Sequence, residues 1–336
     1  MNRMNRMNRM SRMTNKLQAA FGTRGRRGCD GVASVRHALP IGLLLLLFTP
    51  PASFAQHRDK PRPEAWNALV PGGRFMDRIL PAPIHQGLET DTWGTDAVKP
   101  RDIHNGIEDP EWSYWGGRPI LEPDGKYQLF VARWREDNPR GHGGWPSSEI
   151  VQAVSERPTG PFAVKQVIGS GHFPEITRLK DGKYVVYHFH GCYTSDRIEG
   201  PWKEHHKKEV GFPEATFGSM ALREDGSVLM LDRVMRVWIK ENGSDEFQKV
   251  SGRPVQPRKI PGRYEDPMVW RTDVQYHTIV NDWYGRTAYH LRSKDGVHWK
   301  EDPGEAYTID FDGYEDGTKV RWYKYERPKV LQDQFG

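Results

Sequence analysis

The chain has 336 residues, 49 Lys/Arg against 44 Asp/Glu, and only two cysteines, Cys29 and Cys192. That length suits one large all-β domain or two smaller ones. So few cysteines exclude a disulfide-stapled scaffold and a cysteine-rich zinc site, so stability has to come from a core, which 12 Trp, 13 Tyr and 13 Phe can fill.

The N-terminal 38 residues are basic and lead into the apolar run Leu39–Phe48, with Ser53 and Ala55 at the −3 and −1 positions of a cleavage site. This order reads as a secretory signal over residues 1–55. Ten apolar residues are too few to span a membrane, which takes about 20, so the mature chain is expected to be exported to the periplasm or the extracellular space. Residues 1–55 hold nine of the 49 bases and one of the 44 acids, so the remainder carries 40 against 43, a net −3 rather than +5. The basic balance belongs to the signal, and nothing in the mature chain calls for a nucleic-acid partner. Cys29 leaves with the signal, and Cys192 then has no intrachain partner.

Residues 56–69, rich in Pro and Arg, read as a linker. From residue 70 onward, apolar-aromatic runs alternate with Asp-Gly turns, as in 124–134, 181–190 and 225–234. Each run has the composition of a strand following a hairpin turn. No long 3.6-residue period appears, so few helices are expected. Five short phrases centred on Pro110, Pro174, Pro213, Pro267 and Pro328 recur at intervals of 64, 39, 54 and 61 residues. Three of them are followed by a further phrase with a Ser-containing turn, at 153–162, 193–202 and 291–300. Four strands per 40–60 residues is the size of a propeller blade. The expected fold is therefore an all-β, five-bladed β-propeller over 70–336, with the fifth blade incomplete at the C-terminus. The competing reading is a β-sandwich with coincidental turns, which gives no reason for a proline phrase ahead of each first strand. Either residues 70–105 return to fill the fifth blade, or the chain is a truncated version of a longer one.

Residues that open the inner strands of a propeller converge on one mouth. The phrases place Glu108, Asp109, Glu111, His172, Glu175, Glu214, Glu265, Asp266, Glu326 and Arg327 there. Crowded carboxylates split their pKa values, so that one can donate a proton while another accepts. Glycoside hydrolysis needs that pairing. Trp112, Trp115 and Trp270 beside the phrases can stack on sugar faces or pack the blades. His172 and Arg327 can bind sugar hydroxyls, a carboxylate or a sulfate. The Gly-rich segment 134–145 suits either a substrate-facing lid or a solvated loop.

The recurring DP phrases, the DGKY hairpins and the turns Ser155–Phe162 and Ser195–Trp202 resemble the five-bladed propeller glycoside hydrolases. That group contains the arabinanase and xylosidase enzymes of family 43 and the neoagarobiose hydrolases of family 117. The resemblance covers about residues 70–336. It implies Asp109 as general base, Asp266 as supporting carboxylate and Glu326 as general acid, with Glu175 or Glu214 as the alternative acid in the arabinanase-like order. It further implies hydrolysis of a plant or algal oligosaccharide or polysaccharide with inversion, the two carboxyls then lying about 6.5–9.5 Å apart. No cofactor is nominated, and a cation among so many acids is compatible with the sequence without a distinctive ligand set. The rival reading is a non-catalytic carbohydrate-binding propeller or an inactive truncated homologue.

Overall fold

The computed structural model describes residues 63–90, 100–209, 211, 218–257, 260–310 and 313–332. The expected signal (1–55), much of the expected linker and Glu214 lie outside the described residues. Among those described, no helix is long and apolar enough to cross a membrane.

Among the described residues four antiparallel sheets form, each of four strands in chain order. The first holds β1 (Trp112–Leu121), β2 (Tyr127–Arg135), β3 (Glu149–Ser155) and β4 (Ala163–Ser170). The second holds β5 (Glu175–Arg178), β6 (Tyr184–His188), β7 (Gly191–Ser195) and β8 (Lys203–His206). The third holds β9 (Ser219–Leu222), β10 (Val228–Leu231), β11 (Val237–Lys240) and β12 (Gln248–Lys249). The fourth holds β13 (Tyr264–Arg271), β14 (Tyr276–Asp282), β15 (Thr287–Ser293) and β16 (Lys300–Glu301).

The first strands neighbour one another in succession, β1 beside β5, β5 beside β9 and β9 beside β13. Apolar layers fill the spaces between consecutive sheets. Phe130 and Ile150 of the first sheet meet Ile176, Tyr184 and Val186 of the second. Val185 and Tyr187 meet Met220, Val228 and Met230. Leu229, Leu231 and Val237 meet Tyr264, Val269, Val280 and Leu291. A sheet that buries both faces against its neighbours is the arrangement of propeller blades. It explains why these strands are apolar on successive residues instead of alternating. In β6 and β10 every residue is buried. Leu229→Ala is accordingly expected to cost about 2–5 kcal/mol, read from the midpoint of urea unfolding.

The Asp-Gly phrases close the hairpins between first and second strands. Asp124, Asp181 and Asp225 each accept a hydrogen bond through Oδ1 from the N–H two residues on, at 2.9, 3.0 and 2.9 Å. The glycine between has a left-handed backbone, φ 89° at Gly182. A methyl at Gly182 would meet only Arg178 Nη2, 4.0 Å away. The cost of Gly182→Ala is therefore conformational alone, about 1 kcal/mol, measurable in the same unfolding experiment.

The fifth repeat differs from expectation. Among the described residues four blades form, and 324–330 has no strand of its own. Its side chains still pack: Tyr325 and Val330 join Met268, Ile279 and Tyr307 against the outer face of the fourth sheet. The N-terminal segment also returns, with Ala82 bridging Tyr314 in parallel and Ile84 N–H donating to Glu315 at 3.0 Å. Within the stretch read as linker, Trp66 packs against the core that the third and fourth blades share, its ring 6.2 Å from that of Tyr289.

Candidate active site at the convergence of the first strands

Strand register identifies the equivalent positions. Arg118, Glu175, Ser219 and Met268 face Phe130, Tyr187, Leu231 and Ile279, in each case the fourth residue of the following strand. In β1 and β13 a bulge leaves out the two preceding residues, Gly116-Gly117 and Asp266-Pro267. The position two before the matched residue is thus Gly116, Phe173 and Asp266 in blades one, two and four, with φ 58°, 57° and 58°. Arg327, before Pro328, has φ 51°. Three of these four are not glycine, and a left-handed non-glycine costs about 1–3 kcal/mol unless its surroundings hold it.

They are held by each other. Arg327 donates from Nη2 to Asp266 Oδ1 in a buried ion pair. Its guanidinium lies 3.3 Å above the Phe173 ring. A Cβ at Gly116 would sit 3.4 Å from Phe173 Cδ1 and 3.8 Å from Arg327 Cδ. One residue from each of three blades and one from the fifth repeat therefore meet at a point.

Beneath lies a layer built by the matched residues themselves. Glu175, buried, is ion-paired with Arg118 at 3.0 Å and with Lys329. Arg118 also donates to the Met220 carbonyl at 3.0 Å, tying blades one, two and three together. Burial, reinforced by the charge of Arg118, pushes the Lys329 ammonium down to about 7. Glu175 thus sits between Arg118 and Lys329 as part of the packed floor.

Above it, Glu265 and Asp266 share a guanidinium. Arg233, from the β10–β11 turn, lies 2.6 Å from Glu265 Oε2 and 3.6 Å from Asp266 Oδ1. The Arg233 carbonyl in turn accepts from Asp266 N–H at 3.0 Å. Burial, then the neighbouring Asp266 charge, raises the Glu265 carboxyl above its ordinary range, against the pull of Arg233, Arg263 and Lys324. Lys324 is itself ion-paired with Glu326, so both glutamates feel the charge of one ammonium. Tyr307 places Glu326 and Asp266 in one neighbourhood, because its hydroxyl is pushed up first by burial and then by both of their charges. Arg263 and Lys324 both lie over Trp283, at 5.1 and 4.5 Å from its ring centre.

Several buried polar atoms here find no protein partner. They include Nε and Nη1 of Arg327 and both amide atoms of Asn281, which faces Glu265 across β13–β14. Buried polar groups are otherwise hydrogen-bonded, so these call for hydroxyl-bearing or ionic company.

Of the other sequence candidates, His172 adjoins this point, its ring centre 4.0 Å from that of Phe173, whereas Asp109 and Trp270 make their contacts with other residues. Asp109 lies seven residues before Gly116, the true counterpart of Asp266. Its carboxylate accepts from Glu111 N–H at 2.9 Å, Trp112 N–H at 3.0 Å and the Tyr114 hydroxyl. With Trp112 and Arg133 it lines a rim cavity of about 470 Å³ that extends to Phe162 and Val164 near the start of β4. Arg133 covers the Trp112 ring at 3.9 Å. Trp270 is buried in the fourth blade, stacked on His277 with ring centres 5.1 Å apart, so its part is packing. His172 is buried; Ser148 Oγ lies 2.9 Å from its Nδ1. Burial, with Arg327 nearby, pushes it down to about 3. Trp145 of the Gly141–Ser147 turn lies against His172, 5.0 Å between ring centres, while Trp115 meets His142 at 5.0 Å. The Gly-rich segment is thus docked onto the first two blades by its tryptophan. Sequence reasoning missed Arg233, Asn281, Arg118 and Lys329.

No family model matches the chain, and no curated protein matches it. Solved structures that it resembles include a protein of unknown function from Dyadobacter fermentans, 14% identical over 59% of this chain and 71% of that one, TM-score 0.44. A family 117 glycoside hydrolase from Zobellia galactanivorans is 17% identical over 62% and 76%, TM-score 0.43. An exo-β-1,3-galactanase from Phanerochaete chrysosporium is 12% identical over 58% and 49%, TM-score 0.42. Likenesses this distant leave the chemistry to be argued from the chain's own residues.

Proposed function

We propose that this propeller is an exported glycoside hydrolase, with Glu265 as the general acid, Glu326 as the general base and Asp266 as the carboxylate that orients them. The observation that carries the reading is the shared setting of the three acids. Burial and the Asp266 charge hold Glu265 toward the form that can donate a proton. Glu326 is ion-paired with Lys324, the ammonium whose charge Glu265 also feels, and the reading requires room for a water or a sugar between the two carboxyls. In this proposal Glu265 protonates the leaving glycosidic oxygen while Glu326 takes the proton of the attacking water, with inversion at the anomeric carbon. Asp266, gripped by Arg327, fixes the bulge that aims Glu265. Asp109, its oxygens committed to two N–H groups and Tyr114, is given a structural part.

The test is a reducing-sugar screen over plant and marine algal oligosaccharides with the wild type, Glu265→Gln and Glu326→Gln, the first anomer released being followed by NMR. Release by the wild type and its loss in both variants is the expected result. Equal release by all three removes the assignment.

One observation favours a second reading. Blade one contributes Gly116, without a side chain, where blade four contributes Asp266. An oligosaccharide-binding propeller without hydrolysis would show binding by calorimetry and no reducing-end release from any member of the screen.

A further inference from the structure

We propose that the saccharide taken by this mouth carries an anionic group, a carboxylate or a sulfate ester, received by Arg233 and Arg263 at the rim and by Arg327 below them. The inference rests on the reading of the mouth as a saccharide site and names its substrate class.

Three observations lead to it. The first is the distribution of exposure. The carboxylates are sunk, with side chains 4% exposed at Glu265, 10% at Asp266 and 16% at Glu326, whereas Arg233 and Arg263 stay 40% and 51% exposed. An approaching ligand therefore meets guanidinium groups before it meets an acid. The second is that this positive rim is local. Beyond the expected signal the chain is net negative, 40 bases against 43 acids, so the rim is not a sample of a generally basic surface. The third is Arg327. Its side chain is 1% exposed and gives one Nη2 hydrogen bond to Asp266, while Nε and Nη1 are buried without a partner.

A guanidinium with two unused donors in a buried place is costly, and charged acceptors satisfy it best. A neutral hydroxyl would fill the donors but add nothing to Asp266, the acid that Arg327 and Arg233 both face. A carboxylate or sulfate does both. Trp283, flanked by Arg263 and Lys324, offers a ring on which the sugar bearing that group can rest.

The experiment is calorimetric binding of three oligosaccharide sets of equal length, one neutral, one containing uronate and one sulfated, at two salt concentrations. The protein is used as wild type, Arg263→Gln, Arg327→Met and Lys203→Gln, with hydrolysis followed separately on the same sets. Lys203 lines a basic hollow on the outer edge of blade two and controls for binding there. One anionic set is expected to bind at least about tenfold more tightly than the neutral set, the margin shrinking with salt. That set identifies the group. Arg263→Gln should erase most of the margin and Lys203→Gln none of it. Arg263 is half exposed and its replacement should fold, so the outcome does not depend on the buried Arg327. Neutral sugars binding as tightly as anionic ones overturn the inference, as does a margin lost in Lys203→Gln instead of Arg263→Gln. Hydrolysis of neutral sugars without anionic preference sinks the substrate class and leaves the hydrolase standing. Anionic preference without hydrolysis does the reverse.

Discussion

Replacing Glu265 by Gln is expected to lower kcat on the best substrate by about 10²–10⁴-fold, the usual contribution of a positioned general acid, with the fold retained. Gln keeps the size of the side chain and one oxygen toward Arg233, which at 40% exposure can also turn to water. Only the transferable proton is lost. The pH dependence separates this role from a structural one. A carboxyl held above its ordinary range works as an acid while protonated, so wild-type kcat should fall on the alkaline side as Glu265 ionises. In Glu265→Gln that limb should vanish from whatever activity is left. Stability moves in the same direction. Between the unfolded and the raised folded pKa the native state holds a proton that the unfolded chain has released, so stability declines as pH rises through that window. Wild type should show this decline just above the ordinary carboxylate range, and Glu265→Gln should lack it, read from urea midpoints across pH. A kcat profile unchanged in the variant would leave Glu265 without a catalytic part.

How much of this was visible in the sequence depends on which landmark is followed. The Asp-Gly hairpins were legible because their chemistry is local: an Asp oxygen on the N–H two residues on, and a glycine able to take positive φ. The blades were legible because each repeat carries its own strands. The proline phrases misled in blade one. Pro110 and Pro267 both follow an Asp, but Asp109 caps the entry to β1, whereas Asp266 sits inside a bulge of β13. Counting back from the hairpin instead, eight residues before Asp124 and Asp181 stand Gly116 and Phe173, the positions that do meet. The signal was a distance, not a phrase. Arg233 was invisible for another reason. It lies in a turn of blade three, and its contact with Glu265 joins residues that only the closure of the blades brings together. Trp270 illustrates the converse: in a fold that buries both faces of every blade, a tryptophan beside a site residue is more often mortar than platform.

The Asp266–Arg327 pair should show an asymmetry. Asp266→Ala is expected to destabilise the protein by about 3–5 kcal/mol, and Arg327→Met by distinctly less. Both remove one member of a buried ion pair, but what stays behind differs. Without Asp266, Arg327 is left 1% exposed and without its hydrogen-bond acceptor, with the nearby charge of Glu326 as the remaining offset. Without Arg327, Asp266 still has Arg233 at 3.6 Å, and that guanidinium is partly in water. Methionine also fills the space over the Phe173 ring that the guanidinium occupied, so little cavity forms. Combining the two substitutions removes both charges, and the pair Asp266→Ala with Arg327→Met should be more stable than Asp266→Ala alone. The cycle of single and double variants, measured by urea unfolding, gives the coupling directly. Equal losses in the two single variants would mean that Arg327 finds another acceptor when Asp266 is gone, and then its unused donors would no longer argue for an anion in the mouth. The stability cycle and the binding experiment thus interrogate the same two hydrogen-bond donors from opposite sides, one by removing the acid that the protein supplies and the other by adding the acid that the ligand brings.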